Sequence, residues 1–175
     1  MTAVVRITQT AYAYGSRGLI ALAFICLLGR MAAGEVPAPE VWSLHGQATV
    51  IEQWRGGIDS PYVGLNSLVA RREDKHTVTS TLFLGRQLWP GGELYYNPEV
   101  TQGTGLSDTV GVAGFPNGEA TRAGAKVPEY NTARLFLRQI FALSAQSDPV
   151  ESDQNQLAGV RAVDRLVFTV GKLSA

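Results

Sequence analysis

The sequence predicts an all-β protein with antiparallel strands. Three observations carry this expectation. Apolar and polar residues alternate with a period of two in several stretches, as they do in a strand whose successive side chains point to opposite faces. Nineteen glycines against two methionines favour turns and strands over helices. A tight turn motif, Pro90-Gly91-Gly92, joins two of the alternating stretches into a hairpin. Hydrophobic residues make up 45% of the chain and charged residues 17%, the latter below the ~25% usual for soluble domains. Two architectures share these features. One is a soluble β-sandwich or lipocalin-like module with the apolar faces in a core. The other is a transmembrane β-barrel, with the apolar face to lipid and the polar face to water. Alternation alone leaves both open.

The N-terminus reads as a secretory signal peptide over residues 1–34. Arg6 and Arg17 make a positive start, and no acidic residue precedes Glu35. Leu19 to Leu28 is an apolar core, too short for the ~20 residues of a membrane-spanning helix. Ala32, Ala33 and Gly34 supply small residues for cleavage. Removing the segment takes away the one cysteine, Cys26, so disulfides and cysteine-held metals are excluded. The remainder carries twelve basic and fifteen acidic residues, a net charge of −3. With no basic run, nucleic acid is excluded as a partner.

Residues 35–40, EVPAPE, form a short linker. From Val41 to Trp54, Trp42, Leu44, Gly46, Ala48 and Val50 alternate with Ser43, His45, Gln47, Thr49 and Gln53. That strand is long enough for the ~9–11 residues that cross a bilayer at a tilt. Arg55 to His76 reads as a polar loop. In the hairpin, Thr77 to Gly103, one face carries Val78, Leu82, Leu84 and Leu88, then Leu94, Tyr96, Pro98 and Val100. The other carries Thr77, Thr79, Thr81 and Gln87, then Glu93, Tyr95, Asn97, Glu99 and Thr101, with Phe83 as its exception. Thr104 to Thr132 is a long glycine-containing loop, of the kind that is usually functional or disordered. Arg134 to Leu143 is a fourth strand, with Leu135, Leu137, Phe141 and Leu143 opposite Arg134 and Arg138. Helix competes there, because Leu, Arg, Gln and Ala are good helix formers. Ala145 to Gly159 is a polar connection, and Arg165 to Leu173 is a fifth strand. The short turn and the long loop fall at opposite strand ends, the asymmetry of outer-membrane barrels.

Several blocks of the chain resemble carbohydrate-selective outer-membrane porins. They are WSLHGQATVIEQW at 42–54, SPYVGLNSL at 60–68, GGELYYNPEVTQGTGLSDTVGVAGFPNGEA at 91–120 and NQLAGVRAVDRLVFTVGKLS at 155–174. The resemblance implies an antiparallel barrel of about sixteen strands, a water-filled lumen and passive uptake of sugars across the outer membrane without a cofactor. It also suggests a homotrimer for the full-length parent. Five strands are fewer than the ~8 of the smallest single-chain barrels. Residues 41–175 are therefore expected to be the N-terminal portion of such a barrel.

Catalytic signals are poor. His45 and His76 share no metal-ligand spacing, and there is no G-x-S-x-G. Glu93 and Glu99 lie about 20 Å apart along one strand face, too far for a glycosidase pair. An enzyme is not expected. For sugar passage, the candidate lumen-lining residues are Gln47, Gln53, Glu93, Tyr95, Asn97, Glu99, Arg134 and Arg138. Acidic and guanidinium groups on opposite walls would set up a transverse field. Phe115, Asn117 and Glu119 are the candidates for a loop that narrows the pore. A loop shielding the mouth from outside is the alternative.

Overall fold

The computed structural model describes residues 3–13, as backbone, and residues 36–173 apart from 60, 63, 65–66, 109–117 and 120–123. It is all-β. The strands are β1 (Ala3–Ala13), β2 (Trp42–Arg55), β3 (Glu73–Trp89), β4 (Gly92–Gly103), β5 (Glu129–Ala142), β6 (Ser147–Val150), β7 (Gly159–Ala162) and β8 (Arg165–Lys172). Six of them form one sheet in the order β1-β2-β3-β4-β5-β8, and β6 pairs only with β7. From β2 to β8 every pairing is antiparallel. β1 pairs with β2 in parallel. β1 lies within the segment expected to be a leader; the rest of that segment, 1–2 and 14–34 with Cys26, is outside the described residues. Among the described residues, no helix is long and apolar enough to cross a membrane.

The long strands begin close to where alternation places them, with two corrections. β3 starts at Glu73 rather than Thr77, and β5 at Glu129 rather than Arg134. Both additions are strand segments without apolar alternation, so their pairing to β2 and β4 comes from ladder hydrogen bonds rather than hydrophobic pattern. The helical alternative for 134–143 gives way to strand because β5 is paired along both edges, to β4 and β8.

Register decides which side chains share a face. Leu44 faces Leu84, Val50 faces Val78, Leu94 faces Leu137, and Phe141 faces Leu166. On the opposite face Gly85 faces Tyr95, Glu93 faces Arg138, and Asn97 faces Arg134. Between β4 and β5 the register shifts at Asn97/Pro98. Pro98 has no N–H to give to a ladder, so an irregularity costs least there. The hairpin turn is Pro90-Gly91, and Gly92 is already paired with Trp89. Gly91 sits at φ 75, and a Cβ there would lie 2.3 Å from the carbonyl oxygen of Ile140. Proline followed by a glycine at positive φ is the chemistry of a type II turn.

Burial runs opposite to that of a soluble sheet. On the polar face Thr77 and Asn97 are each 1% exposed and Gln53 is 3% exposed. On the apolar face Leu82 is 50% exposed, Leu135 45%, Phe168 58% and Val170 69%. The core is therefore built on the polar side, and only a few apolar residues join it, among them Ile51, Phe83, Tyr95 and Phe136.

What covers the polar face is the stretch between β5 and β8. The sequence reads 145–159 as a plain connection. In the structure the stretch from 145 to 162 carries the β6–β7 hairpin and an isolated bridge, Asp153 to Gln156. It folds back so that His45 Nε2 is 3.1 Å from Ser152 Oγ, and Gln154 Nε2 donates to Gln47 Oε1 at 3.3 Å. This excursion leaves from the same end of the sheet as the Pro90-Gly91 turn, where Ile140 N donates to Gly91 O. The loops after β2 and β4 leave from the other end.

Replacing Gly91 by Val forces a left-handed backbone on a β-branched residue and drives its Cβ into Ile140. The expected destabilisation is about 2 kcal/mol or more, read as a lower denaturant midpoint of the refolded chain in detergent. Gly118→Val, where a Cβ meets nothing within 4 Å, is the matched control.

Candidate functional site

Glu93 is the centre of the most connected group on the polar face. It is placed by alternation along β4, opposite Arg138 on β5. Its Oε1 accepts from Arg161 Nη2 at 2.8 Å, and its Oε2 accepts from Tyr95 OH at 2.7 Å. Arg138 Nη1 lies 3.7 Å from the same carboxylate. Arg161 also donates to Leu157 O, and Leu157 N donates to Tyr95 OH, each at 3.3 Å. Arg138 Nη1 donates to Asn155 O at 3.0 Å. Leu157, 4% exposed, packs with Tyr95 and Phe136 in a small buried cluster. The Tyr95 and Phe136 rings are 5.1 Å apart, and the Arg138 guanidinium lies 5.0 Å from the Tyr95 ring centre and 5.4 Å from that of Phe136. Gly85 makes this possible. A Cβ there would come within 2.9 Å of the Tyr95 ring and 2.4 Å of Ser43 Oγ. Because it has none, Tyr95 can lie across β3.

Glu93, Tyr95 and Arg138 thus come together, and they hold the excursion down. Gln47 joins through Gln154. The remaining candidates are placed elsewhere on the same face. Glu99 accepts from Thr81 Oγ1 at 2.9 Å. Gln53 and Asn97 are buried, and both amide atoms of Gln53 and the Asn97 Oδ1 lack a hydrogen-bond partner among the described residues. Arg134 is half-buried and lines a cleft of about 410 Å³ with Arg138, Thr169 and excursion residues Gln154, Asn155 and Gln156; Phe136 and Leu173 close its apolar sides. Of the loop candidates, Glu119 accepts from Thr79 Oγ1 at 2.6 Å, which brings that point of the 104–132 loop onto the polar face. Phe115 and Asn117 are outside the described residues.

Glu93 and Arg138 sit side by side on adjacent strands, 3.7 Å apart. Sequence reasoning missed Phe136, Ser152, Gln154, Asn155, Leu157 and Arg161. The signal available was Leu157, a lone large apolar residue late in an otherwise polar run, followed by the short alternation of GVRA at 159–162.

At the opposite end of the sheet a second network ties the two loops together. Glu73 accepts from Arg55 Nη2 at 3.0 Å, from Ser107 N at 3.0 Å and from Ser107 Oγ at 2.6 Å. Ser107 Oγ in turn accepts from Val69 N at 3.0 Å. Asp108 pairs with Lys75 at 2.6 Å and Lys126 at 3.2 Å, and accepts from Thr104 Oγ1 at 2.8 Å. The Lys75 bond, with those of Thr104 and Lys126, holds the Asp108 carboxyl well below the usual carboxylate range against the opposing effect of burial.

Compared with protein-family models, with curated proteins and with solved structures, the chain matches none.

Two outcomes follow from these networks. Glu93→Ala leaves Arg138 and Arg161 facing each other on a largely dry face, with an expected cost of about 3 kcal/mol and faster protease cleavage within 143–164. Asp108 is ionised in the folded chain down to a lower pH than in the unfolded chain. Its contribution to stability is therefore complete above the ordinary carboxylate value of about 3.9 and is lost as pH falls through the depressed folded value. Asp108→Asn should remove this part of the acid sensitivity, read as cleavage within 104–128 between neutral and strongly acidic pH.

Proposed function

We propose that this chain forms part of the wall of an outer-membrane porin that passes carbohydrates passively, with neither cofactor nor catalytic step. The carrying observation is the inverted burial: polar side chains are covered while Leu82, Leu135, Phe168 and Val170 stand open on the other face. A contiguous apolar surface of this kind marks a membrane or a partner, and a barrel wall presents it to lipid. A soluble sandwich needs that face buried, and no described residue covers it.

The tryptophans support the same reading. Trp42 and Trp54 lie on the apolar face at the two ends of β2, 51% and 37% exposed, with Arg86 and Arg72 stacked on them at 4.4 and 5.1 Å. Twelve residues of strand span about 40 Å, or about 28 Å across a membrane at a 45° tilt, close to the ~25 Å apolar band between aromatic girdles. Trp89 stands at the hairpin end, its indole N–H bonded to Gln139 Oε1 at 2.7 Å. The polar face, with the excursion laid over it, would be turned to the water-filled side, where the excursion's polar groups and the half-buried Gln47, Arg134 and Arg138 would exchange hydrogen bonds with passing sugars. A leader at 1–34 would deliver the chain for export. Among the described residues β8 has a single neighbour in the sheet, and lipid does not tolerate an open edge. In this reading the wall would be closed by further strands, as in the larger porin that the sequence resembles, itself a candidate trimer.

The test has two arms. The assembled protein in liposomes should swell them when neutral sugars are supplied; swelling equal to that of empty liposomes would sink the transport reading. Single-tryptophan variants retaining Trp42 or Trp54 should both be quenched by lipids labelled near the headgroup. A chain that stays monodisperse without detergent and shows no quenching belongs to the soluble module instead.

A further inference from the structure

The two tryptophan–arginine pairs on the apolar face differ in their surroundings. Trp42 on β2 stands directly opposite Arg86 on β3, and Arg86 stands opposite Leu94 on β4. Parity along the strands sets Leu44, Leu84 and Leu88 beside them on the same face. No acidic residue is among these neighbours. At the other end of β2, Trp54 stands opposite Asp74, and Glu52 on the same face stands opposite His76. Both of those carboxylates are exposed, so Arg72 shares its end of the face with two acids.

The Arg86 side chain is exposed, and its guanidinium carbon lies over the Trp42 ring, 4.4 Å from the ring centre. Among the described residues no carboxylate pairs with it. A guanidinium drawn to an aromatic face keeps its rigid fork of N–H donors. The ring restricts where that fork can stand, and the fork matches the oxygens of a phosphate. A lone cation at the margin of an open apolar face complements an amphiphile with an anionic head and apolar chains. A soluble anion gains nothing from the leucines, and a lipid without net charge gains little from the cation.

We propose that the Trp42–Arg86 corner binds the phosphate of an anionic glycerophospholipid, with its acyl chains along Leu44 and Leu84. The proposal rests on the reading of this face as lipid-facing. It adds which lipid the face holds and where: the hairpin end selects an anionic headgroup, and the loop end, with Asp74 and Glu52, does not.

The experiment uses the assembled protein in phosphatidylcholine liposomes, with Trp42 or Trp54 kept as the single tryptophan. Fluorescence quenching by a brominated lipid then reads how often that lipid lies beside each position. Brominated phosphatidylglycerol should associate at Trp42 about fivefold more strongly than brominated phosphatidylcholine, the factor one basic side chain contributes at an anionic surface. At Trp54 the two lipids should associate alike. Raised salt should reduce the preference at Trp42. Arg86→Gln should abolish it, and Arg86→Lys, which keeps the charge, should retain part of it. Both variants should keep the parent's thermal unfolding midpoint, since the side chain is exposed. Equal association at Trp42, a preference that survives Arg86→Gln, or the same preference at Trp54 overturns the proposal. So does loss of the preference to inorganic phosphate where chloride at equal ionic strength leaves it intact, which assigns the corner to the free anion. Quenching by neither lipid removes the lipid-facing reading as well, whereas equal quenching by both removes this proposal alone.

Discussion

From β2 to β8 each strand is held against its neighbour in a register that keeps one largely apolar face and one largely polar face, with Leu44 opposite Leu84, Leu94 opposite Leu137 and Glu93 opposite Arg138. Side chains repeat every second residue, so a slip by one position at any pairing would exchange the two faces. The Pro90-Gly91 turn pins the β3–β4 pairing, because the turn has room for only one backbone path. The shift at Asn97/Pro98 then absorbs the missing proline N–H without mixing the faces. The exposed apolar face, the buried carboxylate and the cleft depend on this alignment. Glu93 meets Arg138 only because the two strands stand at that offset.

The covered polar face changes what the connection between β5 and β8 means. A linker of that composition would ordinarily lie in solvent. Here Leu157 provides an apolar anchor, Arg161 a charged one, and Ser152 and Gln154 add hydrogen bonds to residues on β2. An ion pair taken out of water holds well only when its remaining donors and acceptors are met. The tyrosine hydroxyl and the Leu157 backbone meet them. The excursion therefore lies as a second layer on the polar face of the sheet.

The long strands were legible because their hydrophobic faces are regular, and the hairpin was legible because proline and glycine mark its turn. The early parts of β3 and β5 were not. Glu73 to His76 and Glu129 to Asn131 carry no alternation, and only their backbone partners make them strands. Arg134, Arg138, Glu93 and Tyr95 could be placed on the polar face from parity alone. Their partners could not, since contacts such as His45 with Ser152 join residues 107 positions apart and leave no local trace. The lateral pairing of Glu93 with Arg138 was hidden for a related reason: alternation gives the face of a side chain but not which strand lies beside it.

The count of strands between the two edges has a geometric consequence. Directions alternate from β2 through β3, β4 and β5 to β8, so the first and fifth strands point the same way. An antiparallel ring must contain an even number of strands, so a ring built on these five would need an odd number more. Copies of this five-strand unit joined head to tail would meet at parallel seams. Two copies joined edge to like edge would give antiparallel seams, but with their ends inverted relative to each other. The parallel β1 occupies the very edge of β2 on which the last strand of such a ring would have to close.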